Sequence, residues 1–139
     1  MLARMTDEQR RIYEWIGELP VVVPNWDKRL PEMYGDLNTR FFQGALPPLS
    51  DTFVCEFCEM PRDTGGILIS AEHAAMQSTD QVHVRPGIRI NAALCVLRED
   101  VKIALLHEMI HAAGIVGHQE PFQMEVSRLM LAGAYNGLL

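Results

Sequence analysis

Residues 101–113 read Val-Lys-Ile-Ala-Leu-Leu-His-Glu-Met-Ile-His-Ala-Ala, a nearly all-apolar run without proline or glycine. A stretch that is apolar almost all round predicts a buried helix, spanning about Arg98 to Ala113. Two histidines and a glutamate inside such a helix are costly unless they are paired or bind a metal. At 3.6 residues per turn, His107 and His111 fall on one face, so both imidazoles can reach a single ion. Glu108 lies between them, placed to act as a general base toward an attacking water. His118 follows Gly114 and Gly117, which end the helix and let the chain turn back. It is the expected third ligand, leaving the fourth position of a tetrahedral zinc open for water and substrate. Chance alone puts His-Glu-x-x-His in roughly one chain of this length in a few hundred. The alternative is a pair of core histidines satisfied by hydrogen bonds to Glu108.

Other titratable groups are weighed against this set. Glu120 and Glu125 are the alternative third ligands, but the one-turn return from the helix favours His118. His73 and His83 fall in loop or strand positions and are expected to be exposed; His83 alternates with Val82 and Val84 and so faces outward. Either can instead enter the cleft as a substrate or oxyanion contact. Trp15, Trp26 and Tyr34 are expected at the core or its rim. Met124 and Met130 are expected to pack the last helix.

The chain has 139 residues, 48% hydrophobic and 22% charged, which fits one domain over 1–139 with a core that needs no disulfide staples. No apolar run approaches a membrane span, and Met1–Arg11 lacks a signal-peptide apolar region, so a cytoplasmic location is expected. The formal charge of −6 does not support a nucleic-acid partner. Arg10, Arg11, Lys28, Arg29, Arg40, Arg62, Arg85, Arg89 and Arg98 are scattered, which reads as a solvated mixed surface. Cys55 and Cys58 have Cys-x-x-Cys spacing, but Thr52–Cys58 alternates like a strand and sends the two sulfurs to opposite faces. With Cys95, they read as free thiols of a reducing compartment.

Thr6-Asp7-Glu8-Gln9 resembles a capping box and predicts a helix to about Leu19, followed by extended Val21–Val23. A second helix is expected from Pro31 to Phe42, stopped by Gly44. Strands are expected at 52–59, at Gly66–Ser70 and within 82–90, with Val82–Val84 and Ile88–Ile90 extended. Residues 71–81 read as loop. The last helix should run from Glu120 to Tyr135, with Pro121 in its first turn. Its candidate core contacts are Phe122, Met124, Val126, Leu129 and Met130. This α-α-β-β-β-α-α order implies an α+β domain with a small antiparallel sheet.

The segment Leu37-Asn38-Thr39-Arg40-Phe41-Phe42-Gln43-Gly44-Ala45-Leu46-Pro47 resembles the helix-to-strand entry of SprT-like metallopeptidases, the domain shared by SprT and Spartan proteases. So do the strand 53–59 with Thr64-Gly65-Gly66, the Ile90-Asn91 step, the helix Leu105–Ala112, and His118-Gln119-Glu120-Pro121-Phe122, which is similar to the His-Gly-x-x-Phe segment of that family. The likeness covers roughly residues 31–130. Three features differ: the connection Ala112–Gly117 is short, Gln119 stands where the family has glycine, and no zinc ribbon or basic tail is present. The spacing His111-x-x-Gly114-x-x-x-His118 also comes within one residue of the metzincin pattern.

The resemblance implies a zincin-like fold, with the sheet packed on the active-site helix and other helices flanking it. It also implies a zinc metalloendopeptidase acting on protein or peptide substrates, with Zn2+ on His107, His111 and His118 and with Glu108 as base. The strand near Val84–Ile90 is expected to offer an edge for an extended substrate. Two alternatives stay open: an accessory or regulatory protein that binds metal with little proteolysis, and a DNA-associated protease.

Overall fold

The computed structural model describes residues 26–60, 64–93 and 98–136. The expected helix to Leu19, the Val21–Val23 stretch, Trp15 and Cys95 lie outside them. Leu30, Tyr34, Leu37 and Phe41 recur at helical spacing and are buried together, forming one face of α1 (Trp26–Phe41). This helix starts five residues before the expected Pro31. Leu30, just upstream of the proline, is fully buried, and that burial carries the helix back past a residue that costs it one backbone donor. At the other end Gln43 and Gly44 both adopt positive φ, and the amides of Phe42 and Gly44 bond the Asn38 carbonyl. The buried Asn38 side chain accepts from the Leu46 amide at 3.1 Å and donates to the Leu46 carbonyl at 3.2 Å, fixing the exit toward the sheet.

The sheet has three strands, β1 (Val54–Cys58), β2 (Gly66–Ile69) and β3 (Gly87–Asn91), in the order β1-β3-β2. It is mixed, not antiparallel: β1 runs parallel to β3 while β2 is antiparallel to it. A tight hairpin would have set β1 beside β2. Residues 59–65 are long enough to reach across the width of an intervening strand, and β3 takes that place. Asn91, fully buried at the end of β3, holds the crossing segment. Its amide donates to the Gly65 carbonyl at 2.8 Å and its Nδ2 to the Thr64 carbonyl at 2.7 Å, while its Oδ1 accepts from the Ala93 amide at 3.0 Å.

All five residues of β3 are buried, so the stretch near Val84–Ile90 offers no edge for substrate; the outer strands are β1 and β2. Val82–Val84 lie outside any strand. Arg89 is not part of a solvated surface. It sits opposite Glu56 in the register, its Nε 3.0 Å from Glu56 Oε1, and its Nη2 donates to the Arg85 carbonyl at 2.7 Å.

Residues 71–77 form a helix, α2 (Ala71–Gln77), where a loop is expected. Only Ala74 is buried, so no apolar stripe announces it. Serines at its two ends hold it instead. Ser70 Oγ accepts from the His73 amide at 3.1 Å, and Ser78 Oγ donates to the Ala74 carbonyl at 2.7 Å.

The long helix α3 (Arg98–Ala112) packs against β2 and β3. Val101, Leu105, Leu106, Met109 and Ile110 fill the core with Ile88 and Ile90. The last helix, α4 (Glu120–Ala132), ends three residues before the expected Tyr135, because Gly133 turns left-handed and Ala134 donates back to the Leu129 carbonyl. Phe122 and Leu129 are buried and Val126 packs against the core, but Met124 and Met130 are exposed, contrary to expectation. Arg128 ties α4 to the end of α1, donating to the Phe41 carbonyl at 2.9 Å while paired with Glu125. No helix among the described residues is long and apolar enough to cross a membrane.

Two predictions follow from this packing. A Cβ on Gly87, whose φ is +140°, would lie 2.0 Å from the Val54 carbonyl oxygen, a backbone clash that no rotamer relieves. Gly87→Ala should lower stability by more than about 2 kcal/mol in urea unfolding; a loss under half of that contradicts the β1–β3 register. The Cys55 thiol is pushed up to about 12 by burial, with Arg89 opposing and Glu56 adding to the shift. The fold therefore favours the neutral thiol. That contribution is complete below the unfolded value near ~8.5 and is lost as pH rises from there toward about 12. By pH 10 wild type should lose about 2 kcal/mol more than Cys55→Ala, relative to pH 7.

Candidate metal centre

His107 and His111 stand one turn apart on α3, and both project from its half-exposed side. Past Ala112 the chain must reverse to bring a third imidazole alongside. Gly114 at φ +100° and Gly117 at φ +78° provide the left-handed backbone for this reversal. It puts His118 Nε2 2.9 Å from His107 Nε2 and 3.1 Å from His111 Nε2, and the His107–His111 pair closes the triangle at 3.2 Å.

Three imidazole nitrogens so close together repel one another through their lone pairs unless protons or a cation lie between them. Ligands at the Zn–N distance of a tetrahedral site stand about 3.3 Å apart, close to this triangle. His111 Nδ1 lies 2.7 Å from the Ile115 carbonyl and donates to it, which leaves the lone pair on Nε2 and fixes the ring's direction. Burial, followed by the neighbouring His111 and His118, pulls His107 down to about 4, so its nitrogen is neutral and able to ligate at neutral pH. The donor set, the His111 tautomer and the spacing suit the binding of a metal ion. Among the described residues no other group of three or more histidine, cysteine or carboxylate side chains gathers in this way.

Glu108 points inward from the same helix, 6% exposed, with Oε2 4.0 Å from His107 Nε2. At that separation the carboxylate lies within reach of a water bound at the three imidazoles. Burial raises its carboxyl to about 7, with His111 opposing the shift. Gly66, at the start of β2, makes the room: a Cβ there would meet Glu108 Cγ at 3.2 Å and the Arg89 carbonyl at 3.0 Å.

The structure thus brings together the four residues singled out in the sequence, His107, Glu108, His111 and His118. It leaves out the alternatives. Glu120 is exposed, Glu125 is paired with Arg128, and His73 and His83 are exposed and outside the cluster. Cys55 and Cys58 are free thiols, the first buried and the second half-buried, and neither joins the cluster. Three further contributors have no site role in the sequence reading: Gly66, the Ile115 carbonyl and Phe122. Gly66 and Phe122 fall within segments that carry the family resemblance, and a glycine opening a strand is a general sign of close approach, whereas the Ile115 carbonyl has no side-chain signal. No protein-family model, no curated protein and no solved structure matches the chain.

The geometry predicts how the ligands divide. His118→Ala should lose most bound metal when dialysed against a mild chelator, while Glu120→Ala and Glu125→Ala keep it, as read by elemental analysis per chain. Equal retention in His118→Ala and wild type contradicts the triangle.

Proposed function

We propose that this chain is a zinc-dependent metallopeptidase of SprT-like type, hydrolysing peptide bonds in protein or peptide substrates. The observation that carries the reading is the convergence of three imidazole Nε2 atoms within 3.2 Å of one another beside a buried carboxylate 4.0 Å away. A structural ion would leave that carboxylate without a task, whereas hydrolysis of an amide needs a base in that position.

His107, His111 and His118 would hold the ion. When bound, zinc supplies Lewis acidity, making a water easier to deprotonate and a carbonyl easier to attack. Glu108 accepts a proton at a carboxylate oxygen as the water attacks the scissile carbonyl, then delivers it to the leaving amine, so the enzyme ends the cycle unchanged. Gly66 keeps the carboxylate close to the sheet. The strand next to Glu108 with an open side is β2, and an extended substrate pairs there through its backbone.

Glu108→Gln keeps the size and the ligands but removes the base. It should bind metal as wild type does and cleave unfolded casein ~100-fold or more slowly. Undiminished cleavage by Glu108→Gln contradicts the mechanism. Full metal binding by a wild type that cleaves nothing favours the accessory-protein reading.

A further inference from the structure

One residue touches all three imidazoles without being able to ligate a metal. The Phe122 ring centroid lies 4.8 Å from His107, 5.1 Å from His111 and 5.0 Å from His118, at interplanar angles of 55°, 32° and 79°. It is 8% exposed and belongs to the first turn of α4. His118 sits at the end of the connecting turn and Phe122 four residues later, with Pro121 setting the helix start between them. The segment that supplies the third ligand therefore also supplies a surface that the other two ligands rest on.

That surface has a physical task. Imidazole nitrogens held 2.9–3.2 Å apart repel wherever no proton or cation lies between them, and each imidazole has two torsions through which to escape. The Ile115 carbonyl restrains His111 alone. Phe122 packs against every ring, so rotation of any of them costs contact with it. We propose that Phe122 is a positioning residue of the metal centre, a common wall that holds the three imidazoles convergent before the ion arrives. The inference rests on the three-histidine metal reading and adds to it which residue sets the affinity.

A wall that preorganises ligands differs from an ordinary core residue, and Leu129 provides the comparison. It is fully buried, seven residues further along the same face of α4, about 10 Å from Phe122 along the axis. The experiment is competition of Zn2+ and Co2+ binding against a chromogenic chelator. It uses wild type, Phe122→Ala, Phe122→Leu and Leu129→Ala, with urea unfolding of each in excess EDTA. Phe122→Leu keeps the core filled but is too small to reach all three rings, so it reports even where Phe122→Ala folds poorly. Metal-free stability should fall in both alanine variants. Affinity should fall ~10–100-fold in the Phe122 variants alone, with a weakened tetrahedral Co2+ absorption. Wild-type affinity in Phe122→Leu, or an equal loss in Leu129→Ala, overturns the proposal while the metal centre stands. A wild type that binds neither ion overturns the metal centre itself, and the proposal with it.

Discussion

The described residues are arranged around one helix whose apolar side must be buried and whose last two turns nevertheless carry His107, Glu108 and His111. Leu105, Leu106, Met109 and Ile110 on α3 are fully buried, and they share one core cluster with Leu30, Tyr34 and Leu37 of α1. Burying four such side chains is worth several kcal/mol, which fixes the rotation of α3 against β2 and β3. With that rotation set, the positions of residues 107, 108 and 111 follow. His107 and His111 emerge at the boundary of the core, and Glu108 is driven under β2. The chemistry of the site is therefore an outcome of hydrophobic packing, and its accuracy depends on that packing.

The second constraint is the chain reversal after α3. Six residues, 112–117, separate His111 from His118, and two of them, Gly114 and Gly117, adopt positive φ. The same short segment leads into α4, whose first turn carries Phe122 back into the core. His118, the turn before it and Phe122 thus belong to one continuous piece of chain. A connection this short leaves little chain to be ordered around the site.

Much of the site was legible in the sequence, because its residues are local. His107, Glu108 and His111 are fixed by helical period alone, and His118 by a short glycine-containing return. The helices α1, α3 and α4 and the strands β1 and β2 announce themselves by apolar spacing. What escaped was non-local or lacked a side-chain pattern. The insertion of β3 between β1 and β2 depends on pairing across some thirty residues and on Asn91 holding the crossing segment, so the sheet is mixed rather than antiparallel and its open edge is elsewhere. Arg89 looks like a surface cation until Glu56 is known to lie opposite. Helix α2 hides because two serines hold its ends while its body buries almost nothing. Met124 and Met130 have core chemistry but fall on the exposed side of α4, a rotation that Phe122 and Leu129 determine.

The central claim is that three histidines and no other side chain hold one ion. X-ray absorption at the zinc edge, on the full chain loaded with one equivalent of Zn2+, tests it most directly. The account predicts three imidazole nitrogens at about 2.0–2.1 Å with one further light-atom ligand, and no sulfur shell. A sulfur contribution near ~2.3 Å, or fewer than three imidazoles, would contradict it.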